Sequence, residues 1–165
     1  KKAKQLDMTN SRFTNPDGLD DQKQYSNLED MAKLIHNVQQ NYPEILESAI
    51  SDNQDIDKTE LHDHYYLPNW NGLLGVYPGA TGLKIAYTEN AGYSTIVTAT
   101  REGISVVVIL SGADSFIERD LAATALLDQA FVVENIVPAK ITSSKIKARY
   151  QIWANLATKI RQESN

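Results

Sequence analysis

The sequence contains no cysteine, which excludes disulfide bridges, thiolate zinc sites and cysteine nucleophiles. It also lacks a long apolar run, since the longest, residues 104–110, spans seven positions and includes a serine, whereas a membrane-spanning helix needs about 20. The first residues are mostly lysine and lead into polar sequence, so we expect no signal peptide at this start. With 165 residues, of which 42% are hydrophobic, the chain can bury a core of its own.

Positive charge is scarce over most of the chain. Residues 1–131 hold ten Lys or Arg against nineteen Asp or Glu, a net charge of −9, whereas residues 132–165 hold six against two, a net charge of +4. A nucleic-acid-binding protein would be basic where its folded body is, so we predict no nucleic-acid partner. The basic charges of the tail are interpreted as the solvated face of a helix, with an anionic surface as the alternative partner.

The local patterns predict an α+β fold. Segments rich in Val, Ile, Thr and Tyr occur at about 82–88, 93–100 and 104–111, and loops of three or four residues join them. Such short loops connect antiparallel neighbours, so these segments predict a three-stranded antiparallel meander. Helices flank the meander: a capping box on Ser26 begins an amphipathic helix, and a cap at Asp114 or Ser115 begins a long apolar helix that continues to residue 131.

The tail contains one more amphipathic helix. Its apolar residues are four, three, three and four positions apart and therefore share one face: Ile146, Tyr150, Trp153, Leu156 and Ile160. We expect this face to pack on the body of the protein or on a partner, and a membrane surface is the less favoured alternative. We accordingly divide the chain into a domain over residues 1–131 and a basic tail over residues 132–165.

An acidic stretch before the meander contains residue types that could bind a metal ion. His62 and His64 would share a face of an extended strand and offer two ligands, but no third ligand is recognisable nearby except the acidic residues of the loop. Residues 55–60 begin like a calcium loop, yet the sixth position is not glycine, and Tyr66 stands where the loop requires glutamate. We predict a solvated surface loop here, with no metal site and no cofactor.

Four segments in a fixed order carry a family pattern: residues 3–19, residues 25–32, Asn69-Trp70-Asn71-Gly72-Leu73-Leu74, and Gly82-Leu83-Lys84-Ile85-Ala86-Tyr87-Thr88 with Ala91-Gly92-Tyr93-Ser94. Together they resemble the serine D-alanyl-D-alanine carboxypeptidases, the low-molecular-mass penicillin-binding proteins. The resemblance implies an incomplete β-lactamase/transpeptidase-like domain that works on the extracytoplasmic, cell-wall side of a bacterial membrane. It also implies two ligands once an N-terminal part completes the domain, a peptidoglycan stem peptide and a β-lactam.

Three motifs perform the reaction of this family. Ser-x-x-Lys supplies the nucleophile and its base, Ser-x-Asn assists proton transfer, and Lys-Thr-Gly on an edge strand binds the terminal carboxylate of the substrate. The serine is acylated with release of D-alanine and then regenerated by hydrolysis, whereas penicillin leaves a stable adduct. In family order the first two motifs precede every segment matched here. We therefore expect this chain to be a C-terminal part of a catalytic domain, truncated before its nucleophile and inactive alone.

The third motif is altered in this chain to Lys84-Ile85-Ala86. Lys84 keeps its positive charge, although on an edge strand its simpler role is to discourage pairing with other chains. Ile85 removes a hydroxyl that would bind a carboxylate, and losing such a charge-assisted bond costs roughly 1.5–3 kcal/mol. Ala86 adds a methyl group where the family keeps the backbone bare. The substrate-binding residues implied by the resemblance are Lys84, Ile85, Ala86 and Thr88, and a non-catalytic module that binds a cell-wall peptide or a partner is the alternative function.

Two further features complete the expectations. Ser144-Lys145-Ile146-Lys147 matches Ser-x-x-Lys formally, but it follows the strand motif and lies in a lysine-rich tail, so we interpret it as a solvated helix start.

In the family, two N-terminal strands flank the last strand of the meander. Residues 104–111 carry no charge, and without those strands they would form a bare edge that pairs with a second copy of the chain. The alternative is that the tail helix covers this edge.

Overall fold

In the computed structural model, which describes residues 1–163, helices and strands follow one another in the predicted α+β order. The helices are α1 (Lys2–Gln5), α2 (Leu28–Asn41), α3 (Pro43–Ile50), α4 (Phe116–Val133) and α5 (Ser143–Glu163). The strands are β1 (Asn53–Ile56), β2 (Tyr65–Pro68), β3 (Ala80–Thr88), β4 (Gly92–Arg101) and β5 (Ile104–Ala113). Residues 164 and 165, the end of the predicted tail, lie outside the described part of the chain.

The predicted meander is present as an antiparallel sheet in the order β3-β4-β5. The turn between β4 and β5 has two central residues, Glu102 and Gly103, with φ of 50° and 81°, and positive φ at both positions suits the right-handed twist of a hairpin. In the central strand, Val97 and Ala99 are fully buried. Within the described residues β3 and β5 are therefore the two edges of this sheet.

The hydrophobic core joins β4 and β5 to α4, to the segment before β3 and to α5. Leu127 and Phe131 of α4 are fully buried, and so is Ile146 of α5, which belongs to the same apolar cluster. Trp153 of α5 is also fully buried, whereas Leu156 is 39% exposed. The predicted apolar face of the tail helix thus packs on the body through its first three turns. The proposed domain boundary after residue 131 stays a prediction.

The predicted N-terminal cap of α4 is confirmed, whereas that of α2 lies one residue away from the predicted position. At α4 the side chain of Ser115 accepts a hydrogen bond from the Glu118 amide at 3.2 Å, as predicted. At α2 the predicted cap on Ser26 is wrong by one residue, because Asn27 accepts from the Asp30 amide at 2.8 Å. Asparagine caps helices as well as serine does, which leaves Ser26 to pair with Ser11 at 2.7 Å.

The acidic stretch is less irregular than predicted. Its first part forms β1, which pairs antiparallel with β2. The His64 Nε2 atom lies 3.2 Å from Asp55 Oδ1, and His62 Nδ1 contacts the Asp63 carbonyl at 2.8 Å. Over residues 1–163 no three His, Asp or Glu side chains come together in an arrangement that would hold a metal ion.

Within the described sheet β5 is an edge strand, as the sequence predicts. Among the described strands it forms hydrogen bonds with β4. The alternative expectation, that the tail helix covers this edge, is wrong, because α5 packs against α4 and β2 and borders a cavity beside β3, at the opposite edge of the sheet.

None of the helices within residues 1–163 combines the length and the apolar character that crossing a membrane requires.

Candidate ligand-binding site

The four residues predicted to bind a substrate come together on β3. Lys84, Ile85, Ala86 and Thr88 line one cavity of about 950 Å³. Successive side chains of a strand point to opposite faces, so residues of both faces reach the same cavity only because it runs along the free edge of β3. That edge also carries backbone N–H and C=O groups without a strand partner in the described chain.

Lys84 supplies positive charge at this edge. Its side chain is exposed, and its Nζ atom donates to the backbone carbonyl of the neighbouring Ile85 at 2.7 Å. Within the described residues no carboxylate forms an ion pair with Lys84. The ammonium group therefore lies close to the strand and is free to meet an anion.

Thr88 has a structural role at the end of the strand. Its Oγ1 atom accepts a hydrogen bond from the Ala91 amide at 3.0 Å and thereby closes the turn between β3 and β4. The hydroxyl proton of Thr88 is still available to a ligand. Ile85 and Ala86 offer a ligand apolar surface and backbone groups, without a polar side-chain atom.

Another wall of the cavity comes from α5, for which the sequence predicts no site. Lys147, Tyr150, Gln151 and Ala154 line it. Their spacing of three, four and seven positions puts them on one face of the helix. The same spacing is present in the sequence. It does not indicate a cavity wall there, because Tyr150 also fits the apolar face that packs on the body.

Buried charges lie where α5 meets α4. Arg119 and Asp120 are 2% and 0% exposed, and Arg119 Nε donates to Asp120 Oδ1 at 2.8 Å. The Tyr150 hydroxyl accepts from Arg119 Nη2 at 2.7 Å and donates to Asp120 Oδ2 at 2.8 Å. Burial raises the pKa of Asp120, and burial together with the nearby Asp120 raises the pKa of Tyr150. One phenol from the tail helix thus bridges both members of a buried ion pair.

Trp70 also lines the cavity and has a strained backbone conformation. Its φ is 58°, a region that bulky residues rarely adopt and that costs about 1–3 kcal/mol. The indole ring stacks on Tyr150 with centroids 6.2 Å apart, and the Trp70 carbonyl lies 3.1 Å from the Tyr150 hydroxyl. The contacts with α5 therefore stabilise the backbone that presents this ring to the cavity.

Further aromatic rings continue the wall from α5 back to β3. Phe116 lies 4.5 Å from Tyr150 in an edge-to-face contact, and Tyr93 lies 6.3 Å from Phe116, between centroids. Tyr87 and Tyr93 are 4.3 Å apart. The cavity is therefore largely aromatic, with the cations Lys84 and Lys147 on opposite walls and Asp17 at the loop side.

The Ser-x-x-Lys match in the tail is not brought to β3 as a unit. Lys147 lines the cavity, but Ser144 does not, and its Oγ atom pairs with Thr142 Oγ1 at 2.9 Å. The interpretation of Ser144 as part of a solvated helix start agrees with this placement.

Comparisons with known proteins bear on the whole arrangement. A model of the D-alanyl-D-alanine carboxypeptidase family matches residues 1–115. The D-alanyl-D-alanine carboxypeptidase DacF of Bacillus subtilis is 31% identical over 131 residues, which are 79% of this chain and 33% of that protein. DacC of Escherichia coli K12 is 29% identical over 157 residues, 92% of this chain and 36% of that protein. The chain spans about a third of the length of the curated relatives it matches.

Solved structures give the same result for the fold. Penicillin-binding protein D2 of Listeria monocytogenes, solved with cefotaxime bound, matches 79% of this chain and 52% of its own, with a TM-score of 0.70 and 31% identity. The DD-transpeptidase of Streptomyces K15 matches 79% of this chain and 51% of its own, with a TM-score of 0.73 and 25% identity. These matches confirm the predicted β-lactamase/transpeptidase-like fold.

Proposed function

Because the chain belongs to the D-alanyl-D-alanine carboxypeptidase family, we propose that β3 is its substrate-binding strand and that Lys84 binds the terminal carboxylate of a peptidoglycan stem peptide. The observation that carries this proposal is the position of Lys84: it lies on a free strand edge, in a large cavity, with no carboxylate partner among the described residues. From the same family membership we infer that the protein acts on the cell-wall side of a bacterial membrane and that β-lactams are a second class of ligand.

The edge of β3 suits an extended peptide. A peptide that lies antiparallel or parallel to a free strand forms main-chain hydrogen bonds with it, while single side chains give specificity. Lys84 then contributes a point charge to the terminal carboxylate, and Ile85 contributes no hydroxyl. Because one charge-assisted hydrogen bond is worth roughly 1.5–3 kcal/mol, we expect binding to be weaker than with threonine at this position.

We propose further that residues 1–165 bind the peptide without cleaving it. Serine becomes a nucleophile in this chemistry only beside a base that takes its proton. The only Ser-x-x-Lys in the sequence is Ser144 to Lys147, and Ser144 pairs with Thr142 outside the cavity. A serine supplied from elsewhere would make this chain the binding half of an enzyme, and otherwise it is a non-catalytic binding module, the function that Ile85 and Ala86 favour.

Mass spectrometry distinguishes catalysis from binding. After incubation with penicillin, the intact mass of the purified chain should be unchanged, and no D-alanine should be released from acetylated L-Lys-D-Ala-D-Ala. An added mass of one penicillin that disappears in Ser144→Ala would contradict the proposal and make Ser144 a nucleophile.

Calorimetric titration tests the binding role of Lys84. The same acetylated peptide should bind, its C-terminal amide should bind at least about fivefold more weakly, and Lys84→Met should reduce the difference between them. Lys23→Met is the matched control, because Lys23 is also exposed and lies outside the cavity. Equal affinity of the Lys84→Met and Lys23→Met variants for the peptide would contradict a role for Lys84.

A further inference from the structure

The α5 wall of the cavity carries a cation that the proposed function does not use. Lys147 is exposed and lines the cavity opposite β3, and among the described residues it has neither an ion pair nor a hydrogen bond from its side chain. The two neighbouring arginines are engaged, since Arg149 pairs with Asp52 and Arg119 pairs with Asp120. Lys147 therefore combines a position on the cavity wall with a side chain that is available to a ligand.

Next to Lys147 the cavity presents rings that are fixed in place. Trp70 is 39% exposed although its backbone is strained, and the Tyr150 ring stacks on its indole ring. Phe116, also 39% exposed, adjoins the same Tyr150 ring. Exposed aromatic rings held rigidly beside a free ammonium group offer a flat apolar molecule a surface for stacking and its anion a counter-charge.

We propose that the space between β3 and α5 binds an aromatic carboxylate, with its ring against Trp70 and Phe116 and its acid group on Lys147. Charge complementarity supports an anion, because Lys84 and Lys147 face the same cavity and Asp120 is neutralised by Arg119. Asp17, on the loop side, disfavours an acid group there and directs it toward α5. This inference goes beyond the peptide-binding role of β3, which uses Lys84 and the strand edge.

Dansylglycine is a suitable probe, since it joins an aromatic ring system to one carboxylate and its fluorescence rises in apolar surroundings. We expect it to bind residues 1–165 with quenching of tryptophan emission, and we expect dansylglycinamide, which lacks the charge, to bind about fivefold more weakly or worse. Lys147→Met should weaken dansylglycine binding by a similar factor. Lys145→Met is the matched control, because it removes the same charge from the same helix but lies outside the cavity.

A second pair of variants tests the location without changing charge. Ala154 is exposed on the cavity face of α5, so Ala154→Trp should narrow the cavity on that side and weaken dansylglycine binding, whereas Ala148→Trp, exposed elsewhere on the helix, should not. Circular dichroism confirms that each variant is folded. Equal effects of the Lys147→Met and Lys145→Met variants, or full binding by Ala154→Trp, would overturn the inference. If the unmodified chain bound dansylglycine but not the peptide, the proposed function would be overturned and this inference would stand. If it bound the peptide but not dansylglycine, this inference would be overturned and the proposed function would stand.

Discussion

Removal of the Tyr150 hydroxyl group tests whether the buried network of hydrogen bonds holds α5 against α4. In Tyr150→Phe, Arg119 Nη2 loses an acceptor at 2.7 Å and Asp120 Oδ2 loses a donor at 2.8 Å, while both groups remain buried. A hydrogen bond to a charged group contributes about 1.5–3 kcal/mol, and the ion pair at 2.8 Å between Arg119 and Asp120 is retained. We therefore expect the free energy of unfolding to fall by about 2–4 kcal/mol.

Urea denaturation followed by circular dichroism measures this loss. For a protein of this size with a slope of about 2 kcal/mol per molar urea, the transition midpoint should move down by about 1–2 M. Tyr93→Phe is the matched control, because Tyr93 belongs to the same aromatic wall but its hydroxyl has no described hydrogen-bond partner. Its midpoint should change by about 0.25 M or less. If the two variants lost the same stability, the buried network would not be what holds α5 against α4.

Three further outcomes follow from the structure. The double variant Ile85→Thr, Ala86→Gly should bind the acetylated D-Ala-D-Ala peptide about tenfold more tightly in calorimetry, because it restores a hydroxyl and removes a methyl group; an unchanged affinity would show that the peptide does not touch this segment. Light scattering should detect dimers that pair through β5, and Val107→Lys should return them to monomers; a wild-type monomer would refute pairing at this edge. Although burial opposes it, hydrogen bonds from the Ala139 and Lys140 amides lower the pKa of Asp128, so its contribution to stability should be lost as the pH falls below about 4, and Asp128→Asn should flatten the acid limb of the stability curve.

The sheet and α4 could be predicted from the sequence because their signals are local. The segments of β3, β4 and β5 are rich in β-branched residues and separated by loops too short for any other connection. The cap of α4 on Ser115 likewise depends on residues three positions apart. By contrast, β1 and β2 are four residues each, and their sequences, Asn-Gln-Asp-Ile and Tyr-Tyr-Leu-Pro, lack the alternation that indicates a strand.

Of the site, only the β3 wall could be predicted, because only that wall is formed by residues close together in the sequence. The resemblance to a known family identified the Lys84 segment, and those residues share one cavity. The second wall depends on Trp70, Arg119 and Tyr150, which are far apart in the chain and meet only in three dimensions. No periodicity reports that a phenol will bridge a buried ion pair, so the role of Tyr150 could not be derived from the spacing that placed it on an apolar face.

The central claim is that β3 binds the carboxyl end of a D-Ala-D-Ala peptide. Nuclear magnetic resonance tests it most directly, through a titration of the ¹⁵N-labelled chain with acetylated L-Lys-D-Ala-D-Ala and, in parallel, with its C-terminal amide. We expect the largest amide shifts at Lys84, Ile85 and Ala86, and we expect the amide peptide to produce much smaller ones. Shifts of equal size with both peptides, or shifts confined to residues away from β3, would contradict it.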